Sequence, residues 1–294
     1  MELKVLQYFL AVAREQSIIR AAQSLHLSQP TLSTQLRQLE TELGKQLLIR
    51  GTKGSRKILL TEEGMILRKR AEEILNLVDK TQKEISFSDN MIIGDIYIGS
   101  GETDAVRLLA KAANKLQQNY PGIRYHISSG NAEFVTEQLD KGLIDFGIIF
   151  GDIDLSKYNT LKLPVKDTWG VLMRCDSPLA KKDAVTPEDL FNMPLILSHQ
   201  KNQQTPLASW FKCSPEKLNI VATYNLLFNA SLLVDEGLGY AVGLDKIIYT
   251  GEGSRLCFRP LKPKIEAEMS IVWKKYQIFS KASEKFLMCL KKST

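Results

Sequence analysis

Histidine is scarce in this chain, with three residues among 294, and cysteine is nearly so, with four. No stretch approaches the ~20 consecutive apolar residues that a membrane-spanning helix requires, so no membrane partner is expected. Cys175, Cys213, Cys257 and Cys289 are scattered, with no C-x-x-C and no nearby histidine pair. That spacing suits neither a metal site nor a disulfide framework, and buried or incidental thiols are the plainer reading. With only His26, His126 and His199, a Cys/His nucleophile pair has little material. Gly99-Ser100-Gly101 lacks the further glycine and the lysine of a phosphate-binding loop. No catalytic residue, metal or cofactor is therefore expected. Leu6 to Ala13 has the length of a signal-peptide core. However, Glu2 precedes it, Arg14-Glu15 follows, and Leu3, Leu6, Leu10 and Ala13 recur at helical spacing. A first core helix is the better reading, and a cytoplasmic location follows from it. With 44% hydrophobic and 24% charged residues the chain has apolar material for more than one domain.

What is present is concentrated near the start. Residues 17–40 read as two short helices joined by a tight turn. Ser17 caps the first, in which Ile18, Ala21, Ala22 and Leu25 fall at i, i+3, i+4 and i+7. After His26-Leu27, Ser28 caps the second, and Pro30 sits in its first turn, where a missing N–H costs little. Leu32, Leu36 and Leu39 form a buried stripe. At about 100° per residue the opposite face carries Pro30, Thr34, Arg37, Gln38 and Thr41, with Thr31 and Ser33 on its flanks. A compact helix pair with a hydrogen-bonding outer face is what reading the major groove of DNA requires. The competing reading is a plain helical hairpin with a solvated face.

The surroundings favour DNA. Leu47-Leu48-Ile49-Arg50 and Ile58-Leu59-Leu60-Thr61 flank a loop rich in glycine, lysine and arginine. They suggest a β-hairpin wing whose tip touches phosphates. Residues 1–60 hold nine basic and four acidic side chains, so they carry +5 of the chain's formal +6. The candidate DNA-facing set is Ser28, Gln29, Pro30, Thr31, Ser33, Thr34 and Arg37, with Arg50, Lys53 and Arg56 on the wing.

The run from Ser17 to Glu40, with Ala21-Ala22, Leu25, Ser28-Gln29-Pro30, Leu32-Ser33 and Leu39-Glu40, resembles the N-terminal domain of the LysR-type transcriptional regulators. The likeness continues through Leu43-Gly44, Leu47, Arg50 and Leu60-Thr61 to Gly64, and the length and later pattern extend it over essentially the whole chain. Leu48 stands where phenylalanine is usual, and Thr34 where a basic residue is frequent. The resemblance implies a bacterial regulator that binds promoter DNA as a dimer or tetramer, responds to a small-molecule effector and contacts RNA polymerase.

Residues 62–88 link the reader to the rest. Leu67, Ala71, Ile74, Val78, Thr81 and Ile85 are spaced alternately four and three apart, a heptad seam. A lone helix would leave that seam wet, so pairing with the same helix of a second subunit is expected. Packing within its own domain is the alternative.

From about residue 91 the period changes to β-α-β-α-β. Strands end at Gly99-Ser100-Gly101 and near Ile127, helices hold Val106 to Leu116 and Val135 to Leu139, and Asn131 caps the second. Residues 144–150 are a continuous apolar strand of the buried parallel kind. A similar region follows, with strands near 169–174, 195–198, 220–223 and 240–242 and helices near 186–191, 205–211 and 226–236. A returning strand at 266–273 and a closing helix at 281–290 complete it. The expected architecture is α/β. It comprises a winged helix-turn-helix (1–60), a linker helix (61–88) and a two-subdomain effector domain (89–294) like a periplasmic binding protein. Subdomain I takes 89–151 and 265–294, subdomain II 152–264, and Phe150-Gly151 forms the first crossover. Strand ends and helix N-termini converge on the cleft between them. Candidate effector contacts are Ser100, Gly101, Glu102, Thr103, Asn131, Phe150, His199, Gln200, Thr205 and Asn225, with Ser198 beside them. For Ser100, Thr205, Asn225 and above all Asn131, helix capping is the ordinary competing role. Glu102 would repel a carboxylate unless it points away. An enzyme and a solute-binding protein are the rival classes. The first lacks reactive groups; the second has no use for a basic hairpin.

Overall fold

In the computed structural model, which describes residues 1–50, 57–86, 92–150, 156–199, 206–212 and 217–292, the chain divides into two compact units, 1–86 and 87–294.

The first unit opens with α1 (Leu3–Glu15), which buries Val5, Leu6, Phe9 and Val12. The stripe expected from Leu3, Leu6, Leu10 and Ala13 is thus turned partly outward, and Leu3 is 45% exposed. Both stripes obey helical spacing, and the one carrying Phe9 is the one that packs. The Ser17 hydroxyl accepts from the Arg20 N–H at 3.4 Å at the start of α2 (Ile18–Ser24). Leu32, Leu36 and Leu39 of α3 (Gln29–Leu43) close over Ala21 and Ala22 in one core with Phe9 and Val12. Gly44, at φ +64°, ends α3 in the left-handed conformation that favours glycine. The strands β1 (Leu48–Arg50) and β2 (Ile58–Leu60) pair antiparallel, Leu48 opposite Leu60. Their root hangs on α3: Glu40 Oε1 accepts from the Leu47 and Leu48 N–H groups at 2.9 and 3.1 Å. α4 (Glu62–Ser86) then starts where the Thr61 hydroxyl accepts from the Gly64 N–H at 3.0 Å.

The second unit holds β3 (Gly94–Ser100), α5 (Val106–Asn119), β4 (Ile123–Ser129), α6 (Ala132–Asp140) and β5 (Phe146–Phe150), followed by β6 (Tyr158–Arg174). α7 (Pro187–Leu190), β7 (Leu195–Ser198), α8 (Pro206–Phe211), β8 (Ile220–Tyr224), α9 (Leu227–Asp235), β9 (Tyr240–Leu244) and β10 (Leu256–Pro260) follow. Last come β11 (Glu266–Lys274) and α10 (Lys281–Lys291). Among the described residues the strands run β4-β3-β5-β11-β6-β9-β7-β8, with β10 also on β6. β3 is parallel to β4 and β5, and β7 to β8 and β9. β6 and β11 are antiparallel and form the seam. One lobe is built on each side of it, the first around Ile96, Leu109, Phe146 and Phe286, the second around Val171, Leu195, Phe211 and Val242.

Three expectations need correction. The changeover between lobes does not fall at residue 152. Residues 158–168 still pair with β11, and from Trp169 onward β6 pairs with β9, which places the crossing inside the strand. The front half of β6 hides its strand character behind lysines and Pro164. Those lysines are matched from β11, Lys162 to Glu268 at 2.5 Å and Lys166 to Glu266 at 3.1 Å. Pro164 sits where the register slips between Glu268 and Ser270, the bulge position that tolerates a missing N–H. β10 was not expected at all. It brings Cys257 beside the end of β6, where the Cys175 N–H donates to Arg255 O at 2.8 Å, so two thiols distant in sequence become neighbours. Burial first, and the adjacent Cys175 second, hold the Cys257 thiol above its ordinary pKa.

A β-carbon at Gly64 would run into the carbonyl oxygen of Leu47. Gly64→Ala should cost about 1–3 kcal/mol through overpacking where α4 meets the wing. Urea unfolding followed on the first unit checks this, and an unchanged midpoint would rule out the close approach.

Candidate functional site

The outer face of α3 is the first site. Gln29, Pro30, Thr31, Thr34, Arg37, Gln38 and Thr41 are exposed and Ser33 half-buried, while the opposite stripe is fully buried. Ser28 is exposed but partly committed: its hydroxyl accepts from the Thr31 N–H at 3.2 Å and lies 2.7 Å from the Thr31 hydroxyl. The left-handed turn at His26 (φ +54°) separates α2 from α3 and sets the entry of the second helix. Lys53 and Arg56 lie outside the described residues, as does the Arg50 side chain; the Arg50 backbone closes β1 against Ile58.

The seam of α4 is only partly open. Leu67 packs on the core of the first unit and Ala71 is fully buried, so the front of the expected dimer stripe has a covering already. Ile74 and Val78 are half-buried, and Ile85 is 78% exposed. Arg68–Glu72 and Asp79–Lys83 ion pairs flank the stripe on the solvated side.

The second site is the cleft between the two lobes of the second unit, a space of about 600 Å³ including its open mouth. Gly101 and Glu102 enter it after β3, Asn131 before α6, Phe150 at the end of β5, Ser198 at the end of β7 and Asn225 before α9. The structure thus brings together Gly101, Glu102, Asn131, Phe150 and Asn225 of the expected set. Ser100 does not line the cleft: it is buried, and its hydroxyl donates to Gly101 O at 2.7 Å. Thr103 is also buried, donating to Asp167 Oδ2 at 2.5 Å and accepting from the Ala105 N–H at 3.0 Å. It is a brace at the crossing, not a lining group. His199 is exposed away from the cleft, and its N–H serves β8 by donating to Tyr224 O at 2.7 Å. Gln200 and Thr205 lie outside the described residues. Asn131 both lines the cleft and caps α6, accepting from the Phe134 N–H at 2.9 Å.

Trp169, Tyr224, Leu227, Ile247 and the Gly243-Leu244 pair also line the cleft and were not anticipated. Tyr224 adjoins the expected Asn225, so its place was within reach; Trp169 depended on where β6 crosses. The Tyr224 hydroxyl donates to Val242 O at 2.7 Å. Burial first, then the nearby charge of Glu102, raise its pKa well above the ordinary tyrosine value. Among the described residues no Lys, Arg or His lines the cleft, and no group of acidic, histidine and cysteine side chains is placed to hold a metal. No described helix is long and apolar enough to cross a membrane.

A capped helix pair with a hairpin wing, and a separate two-lobed α/β sensor, define the class: a DNA-binding helix-turn-helix regulator with a ligand-binding unit. Residues 3–65 match the family model for the bacterial regulatory helix-turn-helix protein of the lysR family, and residues 91–294 that for the LysR substrate binding domain. The chain belongs to the LysR family of transcriptional regulators. It is similar to the HTH-type transcriptional regulator YvbU of Bacillus subtilis (strain 168), 28% identical over 82% of this chain and 81% of that one. The HTH-type transcriptional regulator YfeR of Shigella flexneri is 26% identical over 96% of this chain and 91% of its own. Among solved structures, full-length CbnR complexed with its target DNA shares the fold with TM-score 0.76 over the whole of both chains at 18% identity. Full-length BenM aligns with TM-score 0.53 at 26% identity, over 99% of this chain and 96% of that one.

At the crossing, burial first and the neighbouring Asp245 carboxylate hold the Asp167 pKa above its ordinary value, against the Thr103 hydrogen bond. The native state therefore binds this proton more tightly than the unfolded chain does. The stabilisation from protonated Asp167 is complete below the ordinary carboxylate pKa and is lost as pH rises through the raised one. Asp167→Asn mimics the protonated form, so its stability relative to wild type should increase as pH rises from 4 toward neutrality. Paired denaturant titrations measure this, and a pH-independent difference would contradict it.

Proposed function

We propose that this LysR-family regulator reads promoter DNA through the outer face of α3 and senses a small molecule in the cleft of its second unit, without catalysing a reaction. The observation that carries this is the division of α3: Leu32, Leu36 and Leu39 anchor one side, and Gln29, Thr31, Ser33 and Thr34 lie on the other to meet base edges, Thr31 with its hydroxyl against that of Ser28 and Ser33 half-buried. Ser28, Pro30 and Arg37 fix the entry of the helix along the backbone. Arg50, Lys53 and Arg56 of the wing contact phosphates or the minor groove. Glutamine suits an adenine edge, and threonine at position 34, where the family often has a basic residue, changes the base contacts that α3 makes.

Two readers are required for paired half-sites, and the back of the α4 seam, Ile74, Val78 and Ile85, supplies a face for a second copy. On α9, Phe228 and Leu232, four residues apart, are 59% and 53% exposed, a further apolar surface suited to a homodimer or homotetramer. Effector binding closes or opens the lobes about the β6–β11 seam. The assembly shifts between two populations, which changes reader spacing and contact with RNA polymerase. This is work for the cytoplasm, where promoter and polymerase are found.

Binding to the chain's own upstream DNA should weaken steeply with salt, as counterion release demands. Gln29→Ala should lose about 1–3 kcal/mol on the cognate site and leave binding to unrelated DNA unchanged. Equal losses on both, in a fluorescence-anisotropy titration, would make Gln29 a phosphate contact. For the cleft, a thermal-shift screen of small metabolites should find a compound that stabilises wild type by mass action and no longer stabilises Ser198→Trp, whose indole fills the space. A compound that stabilises both equally binds elsewhere.

A further inference from the structure

Two helices aim their N-termini at the cleft, and they are completed differently. α6 is capped within its own lobe by Asn131. α9 has leucine at its cap position and no side-chain cap from its own lobe. Its first N–H, that of Leu227, instead donates to Oε2 of Glu102, a residue of the loop after β3 in the opposite lobe. A carboxylate at a helix N-terminus is stabilised both by the hydrogen bond and by the aligned peptide dipoles. Glu102 therefore does two things at once: it completes α9 and bridges the cleft.

We propose that Glu102 is the specificity-determining residue of the cleft, a built-in carboxylate that occupies the anion position at α9 and selects a small effector bearing no negative charge. This rests on the cleft being the effector site. The N–H group at which a carboxylate ligand would dock is already engaged. Among the described lining residues Glu102 is the single charged side chain, so an incoming anion meets repulsion there and finds no cation among those residues in exchange. An uncharged molecule is accepted by Asn225, Ser198 and the walls of Trp169, Phe150 and Ile247, and an ammonium group is drawn to the free edge of the same carboxylate. The Tyr224 phenol, whose pKa rises through burial and then through Glu102, registers the same negative field inside the cleft.

The test is chemical rescue on the full-length chain. Glu102→Ala should lower the melting temperature of the second unit by about 2–4 °C, the scale for one cap-type interaction in a unit of this size. Sodium acetate should restore most of that loss in Glu102→Ala beyond what equal sodium chloride does, by filling the vacated position. Acetate should not stabilise wild type, whose position is taken. Glu102→Gln keeps an acceptor of the same shape without the charge, and its Leu227 amide proton should move upfield. The proposal is overturned by an unchanged melting temperature in Glu102→Ala, by loss without acetate-specific recovery, or by acetate stabilising wild type as well. If Glu102→Ala does not fold, Glu102→Gln decides: an unmoved Leu227 resonance overturns the contact. None of these readouts uses an effector, so they stand apart from the metabolite screen. Finding effectors elsewhere would sink the cleft reading while leaving the rescue intact, and an acetate response in wild type would do the reverse.

Discussion

The second unit depends on one pairing, β6 against β11. These neighbouring antiparallel strands carry the chain between the lobes, so the lobes are joined by backbone hydrogen bonds instead of a loose linker. Lysines 162 and 166 against glutamates 266 and 268 fasten one end of the pair. At this same end, where Thr168 lies opposite Glu266, Thr168 and Asp245 exchange hydrogen bonds, the Asp245 N–H donating to Thr168 O and the Thr168 N–H to Asp245 Oδ1, both at 2.9 Å. The opening and closing proposed for the lobes would have to bend this double strand, and the cleft is the space that such bending changes. Thr103 and Asp167 brace the loop after β3 at the same point. A ligand that touches Gly101 on one side and Asn225 on the other therefore acts on a hinge with few degrees of freedom.

The first unit solves a different problem, presenting polar side chains on a helix that must also be anchored. Here the anchoring is local and overdetermined. Ser28 caps the helix, Gly44 ends it, three leucines bury its back, and Glu40 takes two N–H groups from the root of the wing. The wing and α3 are one mechanical piece because a single carboxylate holds both. Nothing in the local sequence marks Glu40 for this role, which needs the loop that folds back onto it.

Most of the fold was legible because its elements are marked at their ends. Ser17, Ser28 and Asn131 cap the helices that their positions suggested, and alternation or continuous apolar runs located β3, β5, β7 and β9. The misses share a cause. The front of β6 is stabilised by charges on a strand a hundred residues away, and β10 by pairing with residues 170–174 of β6, which precede it by about eighty positions; local pattern carries no trace of either. The cleft was legible as a location and less so as a list. Gly101, Asn131 and Asn225 follow from strand ends and helix starts, whereas Ser100 and Thr103 sit on the same loops but turn their hydroxyls to backbone or to a brace, and His199 is exposed without lining the cleft. Residue type and loop membership do not determine which way a short side chain points.

The partition of α3 has a consequence for how such a regulator diversifies. Among the described residues no side-chain hydrogen bond ties Gln29, Thr34 or Gln38 to the rest of the first unit, and none of the three enters its core. Their identities are free of the demands of folding. On the proposed reading of α3 as the DNA-facing helix, a lineage can rewrite the operator it recognises one letter at a time at these positions, and a designer can do the same, with no packed side chain to replace.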